Sequence, residues 1–219
     1  WSGMFLSNLV MFFIIAACAA TLFANGITNI PTVAEAATAL RPIAGDQAYL
    51  LFTLGVIGTG RIGAQVIRIA KGFGMNVIAY DIIQNEKLSK ELDFPYVSFS
   101  ELLNRADIIT LHVNLTKETE HLINGGAFSK MKKGAVLINT SRGKVIDTSA
   151  LVKALESGIV SAAGLDVVEG EEAWRLGQNS SFINKLLHKG HVILTPHIGY
   201  YSRESFQKTL ENTIINLKS

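Results

Sequence analysis

Cysteine is almost absent from this chain of 219 residues: Cys18 stands alone. No internal disulfide can form, and nothing points to an oxidising compartment. An excess of charge is missing too. There are 20 Lys and Arg against 18 Asp and Glu, a formal net charge of +2. Acids and bases are mixed along the chain and there is no basic tail, which argues against a nucleic-acid groove. The five histidines, at 112, 121, 188, 191 and 197, make no H-E-x-x-H or Cys/His spacing, so no metal site is expected. Neither an internal repeat nor a low-complexity segment is visible. The length suits one substantial domain, or a domain with a smaller appendage.

Charge is missing altogether from Trp1 to Ala34. Within that stretch, MFLSNLVMFFIIAACAATLF (4–23) is apolar over about the length a membrane span needs. Three readings compete: a transmembrane or signal-anchor helix, a secretory signal that lacks its basic first region, and a helix buried in the fold or in a partner. Composition favours membrane contact through residues 4–23. If the segment spans, Arg41 and the later bases place the bulk of the chain on the cytoplasmic side, and a cytoplasmic location is the expectation for that bulk. Thr32 and Glu35 form a capping box after Pro31, opening a short Ala-rich helix to about Leu40, and residues 41–54 read as a linker.

What is present from about residue 54 is regular alternation. LGVIG (54–58) is a short buried-strand run. Ile62, Val66, Ile69 and Phe73 follow at spacings of four, three and four, one face of a helix closed by Gly72 and Gly74. NVIAYD (76–81) is a second strand. SFSE (98–101) is a capping box that starts a helix, and DIITLHV (107–113) a third strand. A short helix over 125–132 and the strand AVLINT (135–140) come next. Asp147 or Thr148 can cap a helix through Leu151 and Leu155; VSAAGLDVV (160–168) and HVILTP (191–196) read as strands, and residues 202–219 as an amphipathic helix. Strands and helices in alternation imply an α/β fold with a Rossmann-like, doubly wound parallel sheet, preceded here by an apolar helical segment.

GTGRIG (58–63) is G-x-G-x-x-G. Glycine turns are common, but this one follows a strand, opens a helix, and has Asp81 at the end of the next strand, 23 residues after Gly58. That context is the dinucleotide fingerprint. Gly58 permits the tight turn, Gly60 lets a pyrophosphate approach the backbone, and Gly63 allows close helix–strand packing, while the helix N-terminus offers free N–H groups to phosphate. Asp81 would accept from ribose hydroxyls and repel a 2′-phosphate. No arginine follows in DIIQNEK, so NAD is expected rather than NADP. The expected organisation is an apolar segment over 1–25, a short helix and linker over 26–53, an NAD-binding Rossmann domain over 54–196 and a C-terminal helix over 197–219.

Two polar residues stand just beyond strand ends, where ligands of open α/β sheets bind. Arg142, in NTSRG (139–143), carries a planar fork suited to a carboxylate, although a lone arginine in a turn is more often surface. His197, in TPHIGYY (195–201), follows a stiffening proline and is a candidate for proton transfer. LDVVEGEE (165–172) adds four acids in eight positions, a pattern that is usually solvated surface.

The stretches GVIGTGRIG, VIAYD, LHVNLTKETEHLIN, KMKKGAVLINTSRGKVID, AGLDVVEGEE and TPHIGYY together resemble the D-isomer-specific 2-hydroxyacid dehydrogenases, most closely the D-lactate dehydrogenase branch. They run in order over about residues 55–219. The resemblance implies an NAD-dependent oxidoreductase that interconverts a D-2-hydroxy acid and its 2-keto acid. It implies a catalytic set of Arg142, Glu171 and His197, with Asp166 on the nicotinamide carboxamide. Further cofactor contacts are implied at Gly58, Gly60, Arg61, Ile62, Gly63, Asp81, Val113, Asn114, Thr119, Thr140 and Ser141. Glu169 and Glu172 are expected to be solvated, with Glu172 the alternative to Glu171. A homodimer is also implied, through a helix that GITNIPTVAEAATAL (26–40) matches in shortened form.

The chain departs from the family in places. Asn114 stands where the family has proline, and Gly199 where the lactate branch often has alanine. Only 54 residues precede the GVIG run (55–58), against roughly a hundred for the family's substrate domain. Two functions therefore stand open: a D-2-hydroxyacid oxidoreductase with its catalytic set intact, and a truncated, non-catalytic NAD-binding protein, membrane-associated through residues 4–23. A hydroxyisobutyrate-type dehydrogenase would lead with the glycine fingerprint and use a lysine base, which fits poorly.

Overall fold

A computed structural model describes residues 52–175, 181–199 and 207. The expected helices over 4–23, 32–40 and most of 202–219 fall outside the described residues. The chain divides into two compact units: one of Phe52–His197, the other of Trp1–Leu51 with Ile198–Ser219. The first unit holds every element described below. No helix among the described residues is long and apolar enough to cross a membrane.

The strands are β1 (Thr53–Ile57), β2 (Asn76–Tyr80), β3 (Ile108–Leu111), β4 (Ala135–Asn139), β5 (Val160–Leu165) and β6 (Val192–Leu194). All pair in parallel, in the order β2-β1-β3-β4-β5-β6. The helices are α1 (Arg61–Gly72), α2 (Glu86–Leu92), α3 (Phe99–Arg105), α4 (Gly125–Phe128), α5 (Thr148–Glu156), α6 (Glu171–Arg175) and α7 (Ser181–Leu187). This is the expected Rossmann-like sheet. Three of the helices, α2, α6 and α7, lie where no periodic pattern was legible.

From β1 the chain steps to β2 on one side, then crosses back to β3 on the other. Right-handed crossovers running in opposite directions cover opposite faces of a sheet, and the burial pattern agrees. Ile57 and Ile78 belong to the main core cluster with Leu102 and Leu103 of α3, Leu151 and Leu155 of α5, and Ile183 and Leu186 of α7. Val56 and Val77 point the other way, outside that cluster, and are buried, as are Val66, Ile67 and Ala70 of α1. Each such valine, leucine or isoleucine contributes about 1.5–3 kcal/mol when fully removed from water. The buried face of α1 is thus Gly63, Val66, Ile67 and Ala70, rotated from the expected 62/66/69/73 stripe, and Ile62 is exposed. The reversal of strand order between β1 and β3 opens a crevice at the carboxyl ends of those strands, the ligand position of such sheets.

Local capping follows the side chains. Ser98 accepts from the Glu101 N–H at 3.2 Å, as its capping box requires, but the Glu101 carboxylate turns to Arg105 at 2.6 Å. Asp147, not Thr148, caps α5, accepting from the Ala150 N–H at 3.0 Å. That bond holds its carboxyl below the usual carboxylate range.

Candidate active site

The turn after β1 is built by its glycines. Gly58 has φ +92°, a left-handed backbone that glycine adopts without penalty. A Cβ at Gly63 would collide with the Gly58 carbonyl oxygen, so α1 starts hard against the turn. A Cβ at Gly60 would meet nothing within 4 Å. Gly60 therefore faces open space at the helix N-terminus, where no side chain caps the first-turn N–H groups. Asp81 is drawn to this turn: its Oδ2 accepts from the Thr59 N–H at 2.7 Å and from the Thr59 hydroxyl at 3.0 Å. An open backbone cradle at a helix start, with a carboxylate beside it, fits the pyrophosphate and ribose of NAD.

Across the crevice, His112 and Val113 follow the end of β3. The His112 ring sits against Thr110, Nε2 to Oγ1 at 3.0 Å, and burial pushes its pKa down to about 4, so the ring is neutral at physiological pH. Val113 Cγ1 comes within 2.9 Å of where a Gly58 Cβ would stand. Asn114 is exposed. The Thr119 hydroxyl is used by its own turn: it donates to the Asn114 carbonyl at 2.6 Å and accepts from the Thr116 N–H at 2.7 Å. Its hydrogen is thus committed to building the loop.

Arg142 is carried by a turn that Asn139 organises. Asn139 is fully buried at the end of β4. Its Oδ1 accepts from the Ser141 N–H at 2.9 Å and from the Ser141 hydroxyl at 2.8 Å, and its Nδ2 donates to the Arg142 carbonyl at 3.0 Å. The Arg142 side chain is exposed and donates to the Ser141 carbonyl at 2.7 Å. Thr140, between them, is half-buried. A Cβ at Gly143 would lie 2.5 Å from the Val168 oxygen and 2.6 Å from the Glu169 nitrogen, so the arginine turn is seated directly on the acidic turn after β5. Asn139 was missed because a polar residue ending an apolar strand looks like a boundary. Its place at the head of N-T-S-R-G was the available signal.

The acidic turn is ordered by its own bonds. Asp166 is 3% exposed, and its Oδ1 accepts from the Thr195 hydroxyl at 2.6 Å. The His197 N–H donates to the Asp166 carbonyl at 2.9 Å, which extends the β5–β6 pairing past the strand end. His197 has φ +56°, a region rare for residues other than glycine and one seen at constrained sites. Its Nδ1 lies 2.7 Å from Glu171 Oε1, and the other Glu171 oxygen accepts from the Val168 N–H at 3.1 Å. Behind Glu171, an apolar cavity of about 240 Å³ is lined by Trp174, Ile183, Leu187 and Leu194. The acid that meets the histidine is thus Glu171; Glu172 is exposed. Glu169 is not simply solvated: its Oε1 is 3.0 Å from His121 Nε2, a second imidazole–carboxylate pair that ties the 114–124 loop to the acidic turn.

The structure therefore brings Glu171 and His197 into contact and places Arg142 at the end of the adjacent strand. Gly58, Thr59, Gly60, Gly63 and Asp81 are gathered at the other end of the crevice. Among the described residues no cluster of His, Cys, Asp or Glu could hold a metal ion.

The chain matches the family model described as D-isomer specific 2-hydroxyacid dehydrogenase, NAD binding domain, over residues 49–199. A second model, described as Natural resistance-associated macrophage protein-like, matches residues 1–86; its last part overlaps β1, α1 and β2 of the parallel sheet. A D-specific alpha-keto acid dehydrogenase of Enterococcus faecium is 44% identical over 170 residues, covering 75% of this chain and 51% of that protein. A glyoxylate reductase of Korarchaeum cryptofilum is 45% identical over 165 residues, 75% of this chain and 48% of that protein. Among solved structures, a D-lactate dehydrogenase from Aquifex aeolicus, complexed with NAD and lactic acid, superposes with a TM-score of 0.73 at 46% identity, covering 78% of this chain and 53% of that one. The chain spans about half the length of the curated relatives it matches. With more than half of its residues matched by that domain's model, and with the glycine cradle and strand-end residues in place, the chain belongs to the D-isomer specific 2-hydroxyacid dehydrogenase family.

Proposed function

We propose that this chain is an NAD-dependent oxidoreductase that interconverts a D-2-hydroxy acid and its 2-keto acid. The observation that carries the proposal is the 2.7 Å contact between His197 Nδ1 and Glu171 Oε1 at the strand ends, on the same edge of the sheet as an open glycine cradle.

NAD supplies the hydride acceptor, and NADH the donor. Gly58, Gly60, Gly63 and the start of α1 bind the pyrophosphate, Asp81 the ribose, and Asp166 the carboxamide. Arg61, Ile62, Val113, Asn114, Thr140 and Ser141 are assigned the further cofactor contacts. Arg142 grips the substrate carboxylate with its planar fork and polarises the neighbouring carbonyl. With Nδ1 held by Glu171, Nε2 is the His197 nitrogen assigned to proton transfer. It gives a proton to the developing alkoxide in reduction and takes one from the hydroxyl in oxidation. Glu171 orients the ring and balances its charge when it is protonated.

A D-lactate-like substrate is the finer proposal. It rests on the resemblance of the motifs and is supported by the likeness to the Aquifex aeolicus enzyme. Glyoxylate and larger 2-keto acids are the competitors that the relatives' names supply. The test is NADH oxidation by the 219-residue chain with pyruvate, glyoxylate and longer 2-keto acids, wild type against His197→Ala. Keto-acid-dependent turnover in the wild type, lowered about 10²–10⁴-fold in the variant, is expected. NADH binding without turnover would reject the oxidoreductase and leave a nucleotide-binding module. Membrane contact through residues 4–23 rests on their uncharged, apolar composition; co-flotation with lipid vesicles, lost in a chain starting at Gly26, tests it.

A further inference from the structure

We propose that Tyr96 is a positioning residue for the cofactor's ribose: acting through Thr59, its hydroxyl orients the Asp81 carboxylate and so sets the preference for NAD(H) over NADP(H). The proposal rests on the NAD assignment of the Gly58–Gly63 turn given above.

The protons in this cluster have one consistent arrangement. Asp81 Oδ2 stands 3.0 Å from Thr59 Oγ1. An ionised carboxylate only accepts, so the threonine hydroxyl donates to it. Thr59 has one hydroxyl hydrogen, and it is now committed. The 2.8 Å contact between Thr59 Oγ1 and the Tyr96 hydroxyl must then be made by the tyrosine's hydrogen. That leaves the tyrosine oxygen free to accept, and the Asn85 N–H donates to it at 3.1 Å. A chain of donors thus runs from Asn85 through Tyr96 and Thr59 and ends on the carboxylate. Bonds aligned in this way polarise one another and strengthen the terminal contact.

Each member is held from behind. Asn85 caps α2 through its side chain, accepting from the Leu88 N–H at 3.0 Å. Tyr96 forms a parallel bridge with Ala79 of β2, two residues before Asp81. Its ring stands edge-on to Phe94, with centroids 5.2 Å apart at 69°. Thr59 is 7% exposed, so water competes poorly for its hydroxyl.

The consequence for Asp81 is a division of labour between its oxygens. Oδ2 takes two donors from Thr59. Oδ1 accepts from the Ile83 N–H at 3.2 Å, and it is the oxygen left to meet a ribose hydroxyl. A carboxylate pinned in this way also keeps its negative charge where a 2′-phosphate would have to sit. Without the hydroxyl chain Asp81 keeps the Thr59 N–H but gains freedom to turn, and both the attraction for ribose and the repulsion of phosphate weaken.

The experiment is a fluorescence titration of NADH and NADPH into the full 219-residue chain, wild type against Tyr96→Phe, Thr59→Val and Thr59→Ser, with a thermal melt of each. The wild type binds NADH more tightly than NADPH. Tyr96→Phe weakens NADH about threefold to tenfold and leaves NADPH unchanged or tighter, so the NADH:NADPH preference shrinks. Thr59→Val moves the preference the same way, and Thr59→Ser, which keeps the hydroxyl, restores it. Equal weakening of both nucleotides, or an unchanged preference in Tyr96→Phe and Thr59→Val, overturns the positioning role while the NAD assignment stands. A wild type that binds neither nucleotide overturns both.

Discussion

His197 and Glu171 meet through Nδ1 and Oε1 at 2.7 Å, and Glu171 is itself anchored by the Val168 N–H at 3.1 Å. The imidazole is therefore held by a carboxylate that cannot easily swing away. Glu171→Gln keeps the shape and removes the charge. Losing one charge-assisted hydrogen bond costs about 1.5–3 kcal/mol, so kcat for 2-keto acid reduction is expected to fall roughly tenfold to a hundredfold, with KM little changed. Steady-state kinetics across pH 5–9 check this. A variant with the wild-type kcat throughout removes Glu171 from the mechanism.

Gly60 and Gly63 separate binding from folding. A Cβ at Gly63 strikes the Gly58 carbonyl, whereas one at Gly60 meets nothing within 4 Å. Gly63→Ala is expected to destabilise the chain by about 1–3 kcal/mol, read as a lower urea midpoint. Gly60→Ala should unfold like the wild type and, under the proposed cofactor placement, lose NADH affinity at least tenfold, because its methyl enters the open space assigned to the pyrophosphate. Unchanged NADH affinity in Gly60→Ala would place the nucleotide elsewhere.

His112 makes the fold acid-sensitive. Its folded pKa of about 4 lies below the ordinary 6.5 because burial disfavours the charged ring. Above pH 6.5 the ring is neutral in both folded and unfolded chains and contributes no pH dependence. Between 6.5 and 4 the unfolded chain takes up a proton that the folded one refuses, so stability falls with pH, by up to about 3 kcal/mol at the lower end. Denaturant midpoints of wild type and His112→Gln at pH 7.5 and 4.5 test it. The variant should lose less stability on acidification, and equal losses would show that the ring titrates normally.

Asp147 contributes in the opposite sense to charge. Its carboxyl is held low by the Ala150 N–H, so the cap is intact at neutral pH and is lost as pH falls through the folded value. Asp147→Ala should cost about 1 kcal/mol at pH 7 and less at a pH acid enough to protonate the folded carboxyl. Equilibrium unfolding at both pH values compares the two, and an equal cost at both would mean that the charged cap contributes nothing.

The glycine turn, Asp81 and the strands around them were legible because each rests on a local rule. A left-handed turn needs Gly58, and apolar runs closed by glycine or proline mark the buried parallel strands. Arg142 and His197 were legible as types at strand ends. Glu171 came only from family resemblance, because nothing in four neighbouring acids says which one faces a histidine 26 positions away. The pairing of Glu169 with His121, 48 residues apart, is equally invisible to any local pattern. The α1 stripe was misplaced for a related reason. Ile62 has the right spacing, but it sits on the first turn of the helix, beside the open cradle rather than over the sheet. The Tyr96–Thr59–Asp81 chain joins three segments that meet only after the sheet has formed.

The short strand β6 has a further consequence. It ends the sheet among the described residues and pairs with β5 alone. The same ladder runs on through Thr195 N–H to the Leu165 carbonyl and His197 N–H to the Asp166 carbonyl. Fraying of so brief a margin would carry the imidazole off its carboxylate while the interior strands stayed zipped, since opening begins where the fewest backbone bonds must break. Deuterium uptake at the Thr195 and His197 amides is thus a gauge of how often the His197–Glu171 pair is assembled.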